Sequence, residues 1–231
     1  MILSTEQVFE YVRGKVITNT SFALLRYGDG EGLFAFTPSG LQRRYALASL
    51  KHWGEVPRGA KRLDITKNLR QSYRKCNVAG LPHGFDGYLW KIALNGFLKL
   101  MPHPVTCRAD VHLAMTEHHF VEELVPDRDV FYIACRNVDR ELKAMGARSV
   151  DRILISPQYK FEEKKDLKGK ICLLAAGVAG KQFGIQMRNQ GGMVIDVGSM
   201  FDYWKGIKSR GWMNWEQFKN KYDYAKTMDA R

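Results

Sequence analysis

Four short apolar runs in the second half of the chain restrict the fold more than any other feature: Asp129–Cys135, Val150–Ser156, Lys170–Ala176 and Met193–Val197. Three are rich in β-branched residues, and helical patterns at Val138–Met145 and Ala179–Asn189 lie between them. The first half repeats the theme. Ser4–Lys15 predicts a helix with Ser4 as N-cap and Gln7 three residues on. Ser21–Tyr27 predicts a buried strand, and helical patterns follow at Leu41–Trp53 and Ile65–Cys76. Asn77–Leu81 is a further strand and Gly87–Met101 a further helix. Strands alternating with helices predict an α/β fold: a Rossmann-like, mainly parallel sheet with helices on both faces. Such sheets bind ligands at the carboxyl ends of their strands. Pro102-His103-Pro104 is the best hinge candidate, but no linker-like stretch or repeat divides the 231 residues. The expectation is one domain over 1–231, with 207–231 a basic helical extension.

Composition excludes several classes. Apolar residues at 45% and charged residues at 26% describe an ordinary globular protein rather than a disordered or fibrous one. No apolar run reaches the roughly 20 residues of a membrane span. The start, Met-Ile-Leu-Ser-Thr-Glu-Gln, has neither the basic nor the apolar part of a secretory signal. Cys76, Cys107, Cys135 and Cys172 are far apart, and three sit among β-like apolar residues. Buried free thiols in a reducing, cytoplasmic compartment are the simplest expectation. A disulfide scaffold, a structural zinc domain and an integral membrane protein are disfavoured.

The net charge of +12 is unevenly spread. Gln42–Lys75 holds ten basic residues against Glu55 and Asp64, a net +8, and Lys205–Arg231 holds the other +4. A solvated helix face is the plain reading; an anionic partner (a diphosphate, a nucleic acid or an acidic membrane surface) is the functional one. Arg43, Arg44, Arg70 and Arg74 lead the candidates, with Tyr45, Trp53 and Tyr73 as aromatics for stacking or for the core.

The most informative segment is Leu24-Leu25-Arg26-Tyr27-Gly28-Asp29-Gly30-Glu31-Gly32, a buried strand running into glycines and two carboxylates. Gly28 and Gly30 let the backbone approach a ligand. Asp29 and Glu31, two residues apart, repel unless a cation lies between them or one is protonated. A hard cation, Mn²⁺ or Mg²⁺, suits such carboxylates together with substrate phosphates; an exposed acidic turn is the alternative. Arg26 at the strand end either reaches a phosphate or pairs with a local carboxylate.

A second segment, Ile171–Gly184, passes from a strand through Gly177-Val-Ala-Gly180-Lys181 into a helix. A phosphate resting on that helix N-terminus fits. Gln182 stands where a Walker loop needs Ser or Thr, and no Gly-x-Gly-x-x-Gly appears, which argues against a dinucleotide cofactor. Gly184 serves close helix–strand packing equally well. A third segment places Asp196 at a strand end and Asp202 just beyond; either binds a hydroxyl-rich ligand, or Asp202 caps a helix. Asp110, His112 and Asp202 are candidates for a general base. His112 and His119 are seven apart, one helical face, without the neighbouring ligands zinc needs. No Gly-x-Ser-x-Gly elbow points to a serine hydrolase.

Together, Phe22-Ala-Leu-Leu-Arg-Tyr-Gly-Asp-Gly-Glu, Leu41-Gln-Arg-Arg-Tyr-Ala-Leu, Leu173-Leu-Ala-Ala-Gly-Val-Ala-Gly-Lys and Ile195-Asp-Val-Gly-Ser-Met-Phe-Asp resemble the GT-D-fold glycosyltransferases, nucleotide-sugar enzymes with an Asp-x-Glu motif. The likeness runs from about Ser21 to Gly206 and is loose over Asn77–Pro126. It implies a GT-D-type Rossmann-like sheet, a divalent metal (Mn²⁺ or Mg²⁺) at Asp29 and Glu31, and a nucleotide-sugar donor, a UDP-sugar favoured. It also implies that Gly177, Gly180 and Lys181 line the donor diphosphate. The implied acceptor is a saccharide. Hydroxylated DNA bases are the alternative acceptor, a lipid-linked glycan at the inner membrane face would make the protein peripheral, and a non-catalytic basic nucleic-acid-binding module is the reading from another class.

Overall fold

Ser4 starts the chain's first helix as its residue type predicts. Its hydroxyl accepts from the Gln7 amide and the Gln7 side chain accepts from the Ser4 amide, a complete capping box over α1 (Thr5–Ile17). The computed structural model describes residues 1–28, 31, 32, 35, 62–84, 88–100, 103, 105–155 and 165–207. After α1 come β1 (Phe22–Arg26), α2 (Arg62–Lys75), β2 (Val78–Leu81), α3 (Tyr88–Leu100) and β3 (Thr106–Arg108). Then follow α4 (Val111–Glu117), α5 (Phe120–Leu124), β4 (Asp129–Ala134), α6 (Asp139–Ala144) and β5 (Ser149–Leu154). The described part closes with β6 (Ile171–Ala175), α7 (Gly177–Asn189), β7 (Met193–Asp196) and α8 (Met200–Trp204). The expected helix at Leu41–Trp53 and the extension beyond residue 207 lie outside the described residues.

The seven strands form one sheet in the order β3-β2-β1-β7-β6-β4-β5. Every pairing among the described residues is parallel, so this sheet is wholly rather than mainly parallel. Successive strand side chains point to opposite faces, and two apolar layers result. Phe22, Leu24, Val130, Tyr132, Leu173 and Ile195 pack with residues of α1, α4, α5, α6 and α8. Ala23, Leu25, Phe131, Ile133, Leu174 and Val194 pack with residues of α2, α3 and α7. Both faces are therefore covered, as an all-parallel sheet requires.

Six strands fall within a residue or two of their sequence boundaries. β3 was not expected: three residues following prolines are too few to show a period. It is fixed by β2 on one side and by the N-terminus on the other, where the Leu3 amide donates to Thr106 and the Thr106 amide to Met1. His103, in the expected hinge, has its ring nitrogens against the Cys76 and Val105 carbonyls, and the sheet continues past it. Cys76, Cys107 and Cys172 are buried free thiols, while Cys135 is exposed.

Candidate active site at the carboxyl edge of the sheet

β1 and β7 are neighbours in the middle of the sheet, and the chain leaves them in opposite directions. After β1 it reaches α2 on one face; after β7 it enters α8 on the other. Such a reversal is where a doubly wound sheet usually forms its ligand crevice, at the carboxyl ends of the strands. Four charged side chains meet there. Asp196, ending β7, accepts from the Arg26 backbone amide at 3.0 Å and from the Lys181 ammonium at 2.5 Å. Lys181 also lies 3.2 Å from Glu31 Oε1, while Glu31 Oε2 accepts from the Gly28 amide at 3.0 Å. The Arg26 guanidinium donates through Nε to the Ala109 carbonyl, with Nη1 4.0 Å from Asp196.

Local structure explains each placement. Helical side chains lean towards the helix N-terminus, so Lys181 in the second turn of α7 carries its ammonium back to the mouth of the crevice. Glu31 sits in the helical turn that follows β1, where the Gly32 amide bonds the Gly28 carbonyl. Gly198 has φ +53°, and a Cβ there would stand 2.0 Å from Arg26 Nη1, so this position clears the space the guanidinium occupies.

Lys181 and Asp196 are 4% and 2% exposed. Burial pulls the Lys181 pKa down, but the Asp196 and Glu31 carboxylates outweigh that effect and hold it above the ordinary lysine value. The ammonium therefore stays charged. Two cations and two carboxylates balance within the described cluster, which is how buried charge is tolerated.

The other sequence candidates are distributed as follows. Asp29, Gly30, Arg43 and Arg44 lie outside the described residues, as do Tyr45 and Trp53. Gly177 opens α7 with φ +55°. Gly180 packs tightly: a Cβ would lie 2.7 Å from that of Ala176. Gly184 lets α7 rest on β1, since its Cβ would meet Leu25 at 2.6 Å. Asp110 follows β3 and is gripped by both ends of the Arg108 guanidinium, at 3.0 and 2.7 Å. His112 is buried within α4. His119 begins α5 in a left-handed conformation, so the two histidines belong to different helices and share no face. Asp202 accepts from Arg136 at 3.1 Å; the cap of α8 is Ser199 instead. Arg70 donates to the Ala35 carbonyl, and Arg74 is exposed. Tyr73 is a core residue, fully buried against Tyr27 and Phe97, and offers no stacking surface.

Three further residues at this edge had no role assigned from the sequence. Arg108 clamps Asp110, Gly198 houses Arg26, and His83 lies just past β2 with its pKa lowered by burial and by Arg108. Arg108-Ala-Asp110 at a strand end was the available signal; a lone Pro-His-Gly turn carries none.

Among the described residues no group of three His, Cys, Asp or Glu side chains converges. The carboxylate of Glu31, beside the Lys181 ammonium, is a hard oxygen donor that would suit a hard divalent ion better than a soft one.

No protein-family profile matches the chain, and no curated protein matches it in sequence. Two solved structures match it in shape. One is a selenomethionine-substituted domain of unknown function 1792 (DUF1792), with a TM-score of 0.59 and 16% identity over 89% of this chain and 82% of that one. The other, with a TM-score of 0.57 and the same identity and coverage, is described as having "a distinct glycosyltransferase fold". The chain shares that fold. At such low identity the likeness concerns architecture, and function must be argued from the site. No helix among the described residues is long and apolar enough to cross a membrane.

Proposed function

We propose that this protein is a metal-dependent glycosyltransferase that moves a sugar from a nucleoside-diphosphate sugar, a UDP-sugar favoured, to a saccharide acceptor. The observation that carries the reading is the buried cluster of Arg26, Glu31, Lys181 and Asp196 at the β1/β7 crevice, directly before the N-terminus of α7. The first amides of a helix lack intrahelical partners, so Gly177, Val178 and Ala179 present donors where a diphosphate would rest.

Asp29 and Glu31 would hold Mn²⁺ or Mg²⁺. When bound, the ion neutralises charge on the departing diphosphate. Lys181 adds a second positive charge for the leaving group, where stabilisation confined to the transition state accelerates the reaction. Asp196 acts as a positioning residue: it touches the Arg26 amide and the Lys181 ammonium and sets where both point. Arg26, anchored on the Ala109 carbonyl, keeps positive charge over the ends of β1 and β7. The basic stretch around Arg43, Arg44, Arg70 and Arg74 is assigned to the acceptor, because the metal and Lys181 already serve the donor.

The test is turnover of a panel of UDP-sugars with Mn²⁺ or Mg²⁺, read as UDP release. The wild type should release UDP only with metal, and Asp29→Ala or Glu31→Ala should abolish release while leaving the far-ultraviolet spectrum unchanged. Undiminished turnover by Asp29→Ala without metal would contradict the proposal.

A further inference from the structure

The cluster contains a competition. Lys181 is the proposed ligand of the donor diphosphate, yet its ammonium is spent on two carboxylates, 2.5 Å from Asp196 and 3.2 Å from Glu31. Glu31 is in turn the proposed ligand of the divalent ion. We propose that Lys181 is the built-in counter-cation of Glu31, exchanged for the divalent ion when nucleotide binds, so that metal and nucleoside diphosphate bind this site only weakly alone and strongly together. This rests on the glycosyltransferase reading and adds its regulation.

Three observations support it. The described cluster is already neutral, with Arg26 and Lys181 against Glu31 and Asp196. A divalent ion arriving alone meets two cations at close range; a diphosphate arriving alone meets two carboxylates. Among these four described groups, only the pair preserves the balance. Next, the two contacts of Lys181 are unequal. Asp196 is the shorter and more buried partner, whereas the Glu31 side chain is more exposed, so Glu31 is the one that can be released. Finally, the lysine stem leans towards the N-terminus of α7, so a rotation about its last bonds moves the ammonium from Glu31 towards a group resting on the first amides of that helix.

Linkage makes the coupling reciprocal: UDP must tighten Mn²⁺ binding by the factor with which Mn²⁺ tightens UDP, expected at roughly 10- to 100-fold. The experiment titrates Mn²⁺ by electron paramagnetic resonance and UDP by calorimetry. Wild type, Lys181→Met, Lys181→Arg and Glu31→Gln are compared, with folding checked by circular dichroism. In Lys181→Met, Mn²⁺ alone should bind at least about tenfold tighter than in wild type, because its competitor is gone, and the tightening by UDP should shrink. Lys181→Arg keeps the charge and should keep the weak metal binding. Should Lys181→Met fail to fold, Glu31→Gln carries the test: it frees Lys181 from one carboxylate and should bind UDP without metal several-fold tighter than wild type does. Unchanged metal affinity in folded Lys181→Met, or no gain in metal-free UDP binding by Glu31→Gln, overturns the proposal. Wild type that binds Mn²⁺ and UDP independently overturns the coupling alone. Wild type that binds neither overturns the glycosyltransferase reading and the coupling with it.

Discussion

At the carboxyl edge of β1 and β7, the Lys181 and Asp196 side chains are paired and 5% and 3% exposed. At the amino edge of β4 and β5, Arg148 grips Asp129 just as closely, but with side chains 65% and 29% exposed. The contacts are alike and their consequences differ. In water an ion pair gains little over two hydrated ions, so the Arg148–Asp129 pair is nearly neutral to the fold. In the crevice each charge has lost its hydration, and removing one partner strands the other. Charge kept in so costly a place marks a candidate functional site, which is why the crevice rather than the basic surface anchors the functional reading.

The largest effect should come from Asp196→Ala, which leaves Lys181 without its shorter partner and the Arg26 amide without an acceptor. A loss of about 3–5 kcal/mol in urea unfolding is expected. A loss below about 1 kcal/mol would break the contrast between the two edges.

Next is Gly198→Ala. Its φ of +53° disfavours any side chain, and the added Cβ would displace the Arg26 guanidinium, so about 1–3 kcal/mol is expected. An Asp196→Ala/Gly198→Ala double mutant should lose less than the sum, because both act through Arg26.

The pH dependences sharpen the comparison with opposite signs. The Lys181 pKa is raised in the folded state, so its contribution is whole below the ordinary value of 10.5 and is lost only as pH rises through the folded value above that. The Asp129 pKa is lowered by its hydrogen bonds from Arg148 and Ser149. Its contribution is present above the ordinary 3.8 and is lost as pH falls through the folded value. Because the pair is solvated, the stability difference between wild type and Asp129→Asn should be small; it should stay flat from neutral pH down to about pH 5 and close only in stronger acid. A difference that closes near neutrality would contradict this assignment.

The smallest effect is reserved for Arg148→Ala, whose urea midpoint should coincide with that of wild type. A larger shift than for Asp196→Ala would invert the comparison.

Much of the fold was legible because burial leaves a mark on sequence. Strands covered on both faces read as continuous apolar runs, and Ile171–Ala175 and Met193–Asp196 could hardly be anything else. β3 was missed because its stability comes from partners distant in sequence, Ala79–Leu81 and the N-terminus. At the site, the strand-end positions of Arg26 and Asp196 were legible from the glycines that follow their strands, and Lys181 from the glycine turn that opens α7. Their mutual pairing was not: it joins residues 170 and 15 positions apart, and no local pattern records it. The helical face proposed for His112 and His119 failed for a related reason, since the left-handed residue at His119 breaks the helix without a glycine to announce it.

Amide hydrogen exchange with and without UDP and Mn²⁺ tests the central claim most directly, because it reports where the ligand sits. The account predicts added protection at the carboxyl ends of β1 and β7 and over the first turns of α7, around residues 26–32, 177–181 and 196–198, with the amino edge at Asp129 and Ser149 unchanged. Protection elsewhere, or none at saturating UDP and Mn²⁺, would contradict it.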